Sequence, residues 1–238
     1  MKILLFLYDN FCAILDTVSS IELRSVFKME KSAFIWDMDG TLVDSYPAIV
    51  PAVRDACSAF GLVFREEYIH EYIIRTSVGT FLEQIAAERN LDPLLIKNCF
   101  DLLNDKRIDK ILAIPGAKET LEKLTQAGHQ CFVYTHRGVS CQKILAQNEL
   151  LPYFTEVVTA LDGFPRKPSP DAILYLIRKH RLNPKHCFYI GDRSLDIEAA
   201  ENAKIGSILY MDPASPGKPT GRETFIVHSL TEIVNLQV

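Results

Sequence analysis

The stretch FIWDMDGTLVDS, residues 34–45, begins as a short apolar run and then places two aspartates one residue apart. The run SAFIWD (32–37) is apolar and rich in aromatic residues, and a glycine turn follows it, which predicts a buried β-strand. Asp37 and Asp39 lie at the end of that strand. Two carboxylates this close repel each other, and burial would raise the cost further. The pair therefore belongs either to a solvated turn or to a reaction centre.

The composition is that of a globular protein with a sizeable core. The chain has 238 residues, 48% of them hydrophobic and 24% charged, and a formal net charge of −4. This length suits one large domain or a domain with a large insertion. The negative charge and the lack of a long basic run argue against a nucleic-acid partner. No stretch has the length and hydrophobicity of a bilayer span, so no membrane association is predicted.

Cysteine usage indicates a reducing, cytoplasmic setting. The chain has six cysteines and no C-x-x-C pair. Cys131 and Cys187 lie in apolar runs, which predicts that they are small core residues. A disulfide framework is not expected in a chain this long and this apolar.

The first 28 residues match the pattern of a signal peptide only in part. They start with one lysine and an apolar run, as a signal peptide does, but Asp9 interrupts that run and no small-residue cleavage pattern follows. Met29 lies just before EKSAFIWD. Our hypothesis is that residues 1–28 are an upstream extension and that the cellular protein starts at Met29.

The segment from residue 46 to 113 has a helical pattern. In YPAIVPAVRDACSAFGL, apolar residues recur at helical spacing and Gly61 ends the helix. Three further stretches continue in this style, and Pro93 fits the first turn of the last of them. We therefore predict an all-helical insert over 46–113, which leaves 29–45 and 114–238 as the core.

After residue 113, short apolar runs alternate with helical stretches. Because the runs are continuously apolar, they predict parallel strands with helices on both faces of the sheet. Right-handed connections then give a doubly wound α/β fold. The runs are CFVYT (131–135), EVVT (156–159), CFYIG (187–191), GSILYM (206–211) and FIVH (225–228).

Polar residues follow three of these strands, where doubly wound folds bind their ligands. Asp37 ends the first strand, Thr135 ends the second, and Asp192 follows CFYIG. The three aspartates Asp37, Asp39 and Asp192 could share Mg²⁺, which prefers oxygen ligands and would remove their repulsion. Mg²⁺ in such sites commonly binds a substrate phosphate as well. Lys167, in RKPSP, and Thr135 would then donate hydrogen bonds to the phosphate oxygens that the cation leaves free.

Four motifs together resemble those of the haloacid dehalogenase superfamily, most closely its phosphoglycolate-phosphatase-like branch. The resemblance covers about residues 32–211 and implies a Rossmann-like core with an inserted helical cap. The motifs are, in chain order, DMDGTLVDS, YTHR, RKPSP and GDRSLDIEAA.

The resemblance implies a role for each matching residue. Asp37 matches the nucleophile that forms an aspartyl-phosphate. Asp39 matches the acid that protonates the leaving oxygen and then acts as the base on water. A dehalogenase needs no acid there, so a phosphoryl-group enzyme is favoured. Thr135 matches the phosphate-binding hydroxyl, and Lys167 matches the lysine that neutralises the phosphate and Asp37.

The same resemblance implies an Mg²⁺ site. Asp37, the main-chain carbonyl of Asp39 and the side chain of Asp192 match the metal ligands of the family. Asp196 matches the second acid of the fourth motif, which supports the metal shell. It also has a simpler interpretation, since an acid early in a helix is favoured by the helix dipole.

Other residues have two interpretations each. His136 and Arg137 depart from the small or amide residue expected after Thr135, and Arg137 either reaches an anionic substrate or lies on the surface. Arg75, Thr76 and Ser77 are candidates for reading the substrate from the cap. The alternative for this segment is an ordinary turn with Ser77 or Thr80 as an N-cap.

These inferences together predict a Mg²⁺-dependent phosphatase of small phosphorylated metabolites, either phosphoglycolate-like molecules or sugar phosphates. One alternative is a phosphomutase of the same fold, which returns the phosphoryl group to a sugar. Another is a binding or regulatory protein on a scaffold that has lost catalysis. The sequence leaves the choice between a monomer and a homodimer open.

Overall fold

The computed structural model of the chain describes residues 31–212 and 218–237. The hypotheses on residues 1–28 and on Met29 lie outside the described residues. Within the described residues, no helix combines the length and the hydrophobicity that crossing a membrane requires.

Eight strands and eight longer helices make up the described fold. The strands are β1 (Ala33–Trp36), β2 (Val43–Asp44), β3 (Leu112–Ala113), β4 (Gln130–Tyr134), β5 (Phe154–Val158), β6 (Cys187–Gly191), β7 (Gly206–Tyr210) and β8 (Phe225–Val227). The helices are α1 (Tyr46–Ala59), α2 (Glu66–Arg75), α3 (Val78–Arg89), α4 (Pro93–Asp105), α5 (Ala117–Gln126), α6 (Cys141–Gln147), α7 (Asp171–His180) and α8 (Ser194–Ala203).

Six of the strands form one parallel sheet in the order β5-β4-β1-β6-β7-β8. Strand β1 lies between β4 and β6, so the residues that follow these three strands meet at one edge of the sheet. The predicted α/β fold with a doubly wound parallel sheet is confirmed.

Alternate residues of the central strands belong to two separate hydrophobic clusters, one on each face of the sheet. Phe34 and Trp36 belong to the cluster that includes residues of α5 and α6. Ala33 and Ile35 belong to the cluster that includes residues of α7 and α8. Burial on both faces explains why these strands are continuously apolar. Cys131 and Cys187 are fully buried in these clusters, as predicted.

Helices α1 to α4 lie between β2 and β3 and share a third hydrophobic cluster. Their apolar faces pack against one another around residues such as Val53, Phe81 and Ile96. The helical cap predicted from the sequence is therefore present. The division into a cap at 46–113 and a core at 29–45 and 114–238 stays a prediction.

The helical pattern predicted no strand between residues 46 and 113, and this prediction is wrong at one point. Strands β2 and β3 pair antiparallel, with Val43 opposite Ala113 and Asp44 opposite Leu112. The pair joins the two points where the chain enters and leaves the helical segment. A strand of two residues is too short to show an alternating pattern, so it left no signal in the sequence.

Candidate active site

The carboxyl ends of β1, β4 and β6 place three predicted site residues at one edge of the sheet. Asp37, Thr135 and Asp192 directly follow these strands, and all three are buried. The main-chain N–H of Asp37 donates to the carbonyl of Ile190 at 2.8 Å, which continues the pairing of β1 with β6. The position of the Asp37 carboxylate is therefore fixed by the most buried part of the sheet.

Asp37, Asp192 and Asp196 form a buried cluster of carboxylates. One oxygen of each lies within 4.8 Å of the others. Burial raises the pKa of Asp37 and raises that of Asp192 to about 7, although nearby cations oppose both shifts. Three buried acids at this distance require positive charge close by.

Lys167 supplies part of that charge. Its Nζ lies 2.8 Å from Oδ1 of Asp37 and 2.6 Å from Oδ1 of Asp196. It also donates to the hydroxyl of Tyr189 at 3.0 Å, and that hydroxyl donates to the carbonyl of Tyr134 at 2.9 Å. The lysine is buried, and its ammonium group is fully hydrogen-bonded.

Arg193 supplies the second cation, and the sequence analysis missed it. Its Nη2 lies 3.5 Å from Oδ2 of Asp37, and its Nε lies 4.0 Å from Asp192 and 3.9 Å from Asp196. The available signal was its place between Asp192 and the start of α8, in the motif GDRSLD. A residue at a strand–helix junction beside a predicted acid is a candidate for the same site.

The carboxylate cluster fits a hard divalent cation. When all three carboxyl groups are ionised, their negative charge exceeds the positive charge of Lys167 and Arg193 by one. Within the described part of the chain, Oδ2 of Asp37 and Nε of Arg193 are buried and have no hydrogen-bond partner. Mg²⁺ prefers oxygen ligands such as Oδ2 of Asp37 and often binds with a substrate phosphate, which could accept a hydrogen bond from Nε of Arg193. The predicted carbonyl ligand from Asp39 stays a prediction.

Asp192 is fixed from the other side by two hydroxyl groups. The hydroxyl of Tyr46 donates to Oδ2 at 2.8 Å, and that of Thr41 donates to Oδ1 at 3.3 Å. Gly40 lies against the same carboxylate with φ of +85°, and a Cβ there would come within 2.4 Å of Oδ2. A side chain at this position would therefore collide with Asp192, which explains the glycine of DGT.

The interpretation of Asp196 as an acid early in a helix is confirmed, and its support of a metal shell stays a prediction. It lies in the first turn of α8, and its Oδ2 accepts a hydrogen bond from the main-chain N–H of Arg193 at 3.1 Å. Its other oxygen contacts Lys167. Asp196 therefore caps the helix and also orients the lysine beside Asp37.

Asp39 lies outside the carboxylate cluster and pairs with Arg137. The Arg137 Nε lies 3.0 and 3.1 Å from the two carboxylate oxygens, and its Nη2 lies 2.6 Å from Oδ1. Burial alone would raise the pKa of Asp39, but the Arg137 guanidinium lowers it below its usual value. Arg137 is buried, so the alternative that it lies on the surface is wrong.

Thr135 and His136 complete the segment after β4. The Thr135 hydroxyl accepts from the main-chain N–H of Arg137 at 3.1 Å. The Nε2 atom of His136 accepts from the main-chain N–H of Lys167 at 2.9 Å, which requires an unprotonated ring nitrogen. Burial, together with the charges of Lys167, Arg166 and Arg193, lowers the pKa of His136 to about 2.

Substitution of His136 by asparagine is expected to change how stability depends on pH. Below about pH 6.5 the unfolded chain protonates this histidine but the folded one does not, so folding loses stability as the pH falls. Because the ring is partly exposed, we expect a loss of about 1 kcal/mol per pH unit, below the limit of about 1.4. Urea unfolding of both proteins from pH 7 to pH 5 measures the difference. If the free energies of unfolding of both proteins fell equally with pH, His136 would not be the group that stays unprotonated on folding.

Comparison with known proteins identifies the family of this chain. The family described as haloacid dehalogenase-like hydrolase matches residues 34–210. The chain belongs to this family.

Relatives within the family carry a more specific name. A phosphoglycolate phosphatase from Vibrio parahaemolyticus is 30% identical over 84% of this chain and 93% of its own length. One from Photobacterium profundum is 31% identical over 71% of this chain and 78% of its own. A crystal structure of a predicted phosphoglycolate phosphatase from Haemophilus somnus covers 87% of this chain and 98% of its own, with a TM-score of 0.76 and 22% identity.

In this hydrolase, a cleft of about 560 Å³ extends from the aspartates to the helical cap. Asp37, Asp39, Thr135, His136 and Arg137 line one part of it. One face of α4 lines the opposite part, with residues spaced by three or four positions. None of these residues was predicted from the sequence to belong to the site. They are Lys97, Phe100, Asp101, Asn104 and Asp105.

The three predicted cap residues differ in their positions. Ser77 lines the cleft. Arg75 and Thr76 are not among the described residues that do so. Arg75 is mostly exposed and lies 3.7 Å from Glu71, and the Thr76 hydroxyl donates to the carbonyl of Tyr72. The geometry brings Ser77 alone of the three to the cleft, and the role of each in substrate recognition stays a prediction.

Ser77 is also the N-cap of α3, since its hydroxyl accepts from the main-chain N–H of Thr80 at 3.0 Å. Substitution by alanine is expected to lower the free energy of unfolding by about 1 kcal/mol. Ser58, an exposed serine near the end of α1, gives the control, and its alanine variant should show no such loss. Unchanged stability of the Ser77→Ala protein in urea unfolding would rule out the capping role.

Proposed function

We propose that this hydrolase is a Mg²⁺-dependent phosphatase that removes phosphate from small metabolites through an aspartyl-phosphate intermediate. The observation that carries the proposal is the setting of Asp37. Its carboxylate lies at the end of the central strand, against Lys167 and Arg193 and beside Asp192 and Asp196. The names of the relatives support phosphate ester hydrolysis as the reaction.

In the first step, an oxygen of Asp37 attacks the phosphorus atom. A bond forms between that oxygen and phosphorus while the ester P–O bond breaks, and Asp39 gives its proton to the leaving alcohol oxygen. Lys167, Arg193 and the Thr135 hydroxyl would stabilise the charge on the other phosphate oxygens. Bound Mg²⁺, held by Asp37, Asp192 and the Asp39 carbonyl, would supply further neutralising charge on the phosphate.

In the second step, Asp39 takes a proton from water and the water oxygen attacks phosphorus. The bond between phosphorus and Asp37 breaks, inorganic phosphate leaves and both aspartates return to their starting states. The ion pair with Arg137 favours the ionised form of Asp39, which is the form that this step requires. The first step requires the protonated form, so the pair has to loosen when substrate binds.

The cap at 46–113 is proposed to cover the substrate on the core formed by 29–45 and 114–238. Closure would exclude bulk water during the first transfer, and opening would release the product. Such a closure would take place across the cleft that lies between the cap and the aspartates.

A phosphate-release assay across a panel of phosphorylated metabolites tests the proposal. We expect Mg²⁺-dependent release that a chelator abolishes. A phosphomutase would instead isomerise a sugar phosphate with little release. A protein that hydrolyses no ester of the panel, nor an activated aryl phosphate, would support the non-catalytic alternative.

A further inference from the structure

The cleft has two chemically different parts. The aspartates and their cations form one part, where the phosphate of a substrate would lie. The rest is lined mainly by apolar side chains that come from both the cap and the core. These include Ile49, Ile73, Leu82 and Phe100 on the cap, and Leu161 and Phe164 on the core.

The cations beyond the carboxylate cluster are largely neutralised by partners. Among the described residues that line the cleft, Arg137 pairs with Asp39, and Lys97 pairs with Asp101 at 2.5 Å. Arg166 also lines the cleft and has no ion pair among the described residues, but it lies at an exposed position beside Gly79 of the cap, where solvent screens its charge. A carboxylate on the alcohol part of a substrate would therefore lose its hydration without gaining a buried free cation, which is costly.

Two large apolar side chains of the core are exposed along this cleft. Val139 is 76% exposed and Leu161 is 69% exposed, and both line it. Covering such surface with another apolar group is favourable in proportion to the area removed from water. The alcohol part of a substrate that lies between the cap and the aspartates would cover it.

One buried polar group of the cap also lacks a partner. Asn104 lines the cleft, is 6% exposed, and its Oδ1 has no hydrogen bond within the described residues. A neutral donor such as a hydroxyl group would satisfy this oxygen.

We infer that the substrate is a phosphate monoester whose alcohol part is uncharged and largely apolar, aliphatic or aromatic. The cleft of about 560 Å³ is within the usual range for ligands much larger than phosphoglycolate. Phosphoglycolate would place a carboxylate against apolar walls and leave most of them in water. The inference rests on the proposed phosphatase function and narrows its substrate class.

A series of ethyl, butyl and hexyl phosphate tests this inference, because their leaving groups are chemically alike and differ in apolar area. We expect kcat/KM to rise about fourfold for each buried methylene. Phosphoglycolate, which carries a carboxylate where ethyl phosphate carries a methyl group, should be the poorer substrate of that pair. The inference would be overturned if kcat/KM did not change along the series, or if phosphoglycolate were the best substrate.

Substitution of Leu161, which lines the cleft, tests whether the gain in kcat/KM with chain length arises there. Leu161→Asn should reduce the gain in kcat/KM between butyl and hexyl phosphate. Leu94→Asn is the matched control, since Leu94 is 66% exposed but is not among the lining residues, and it should keep the full gain. Equal loss in both variants, or none in Leu161→Asn, would count against the apolar cleft as the binding site.

p-Nitrophenyl phosphate distinguishes a wrong substrate class from a wrong assignment of phosphatase activity. If the enzyme releases phosphate from this activated ester with Mg²⁺ but shows no dependence on chain length, the inference fails and the proposed function stands. If it hydrolyses neither this ester, nor the alkyl series, nor phosphoglycolate, the proposed function itself fails.

Discussion

Replacement of Asp37 by asparagine is expected to lower kcat by about four orders of magnitude or more for every phosphate ester that the enzyme hydrolyses. An amide cannot replace the carboxylate as nucleophile, so no aspartyl-phosphate forms. The fold should persist, because the substitution preserves the shape of the side chain and removes one of three mutually repelling carboxylates. Steady-state phosphate release and thermal unfolding of the same preparation measure both quantities.

The control for this variant is Asp109→Asn, which changes an exposed aspartate in the same way. It should keep wild-type turnover. Turnover by Asp37→Asn within tenfold of wild type would refute the nucleophile assignment, and loss of its cooperative unfolding would show that Asp37 is needed for the fold.

The second large effect is expected for Asp192→Ala, which should weaken Mg²⁺ binding by at least about 100-fold. The variant removes one of the three carboxylates and leaves the hydroxyls of Tyr46 and Thr41 without their acceptor. Isothermal titration with Mg²⁺ measures the affinity directly. Asp109→Ala again gives the control, and an unchanged Mg²⁺ affinity in Asp192→Ala would exclude Asp192 as a ligand.

Mg²⁺ binding should also depend on pH. Burial raises the pKa of Asp192 to about 7, and a carboxyl group must lose its proton before it binds a metal ion. The apparent affinity should therefore rise about tenfold per pH unit below pH 7 and level off above it. Titrations between pH 6 and pH 8 measure this, and an affinity independent of pH would show that no ligand titrates in this range.

The sheet was predictable because its strands are buried on both faces and are therefore apolar without interruption. The same property located Asp37, Thr135 and Asp192, since the residue after each strand is visible once the strand is. The pairing of β2 with β3 was not predictable, because two residues carry no periodicity.

The site contacts that the sequence did not show are those made between distant segments. Arg137 and Asp39 are 98 positions apart, and nothing local in either stretch indicates their ion pair. The face that α4 turns to the cleft was hidden for a similar reason. Its pattern shows that the helix has two faces, but only packing decides which face meets the core.

Trapping the aspartyl-phosphate intermediate tests the proposed role of Asp37 as the nucleophile. The enzyme is mixed with Mg²⁺ and a good substrate, quenched in acid during turnover, digested and examined by mass spectrometry. The peptide containing Asp37 should gain the mass of one phosphoryl group, and Asp37→Asn should show no such gain. A phosphorylated peptide from elsewhere in the chain, or steady turnover by the Asp37→Asn protein, would contradict this role of Asp37.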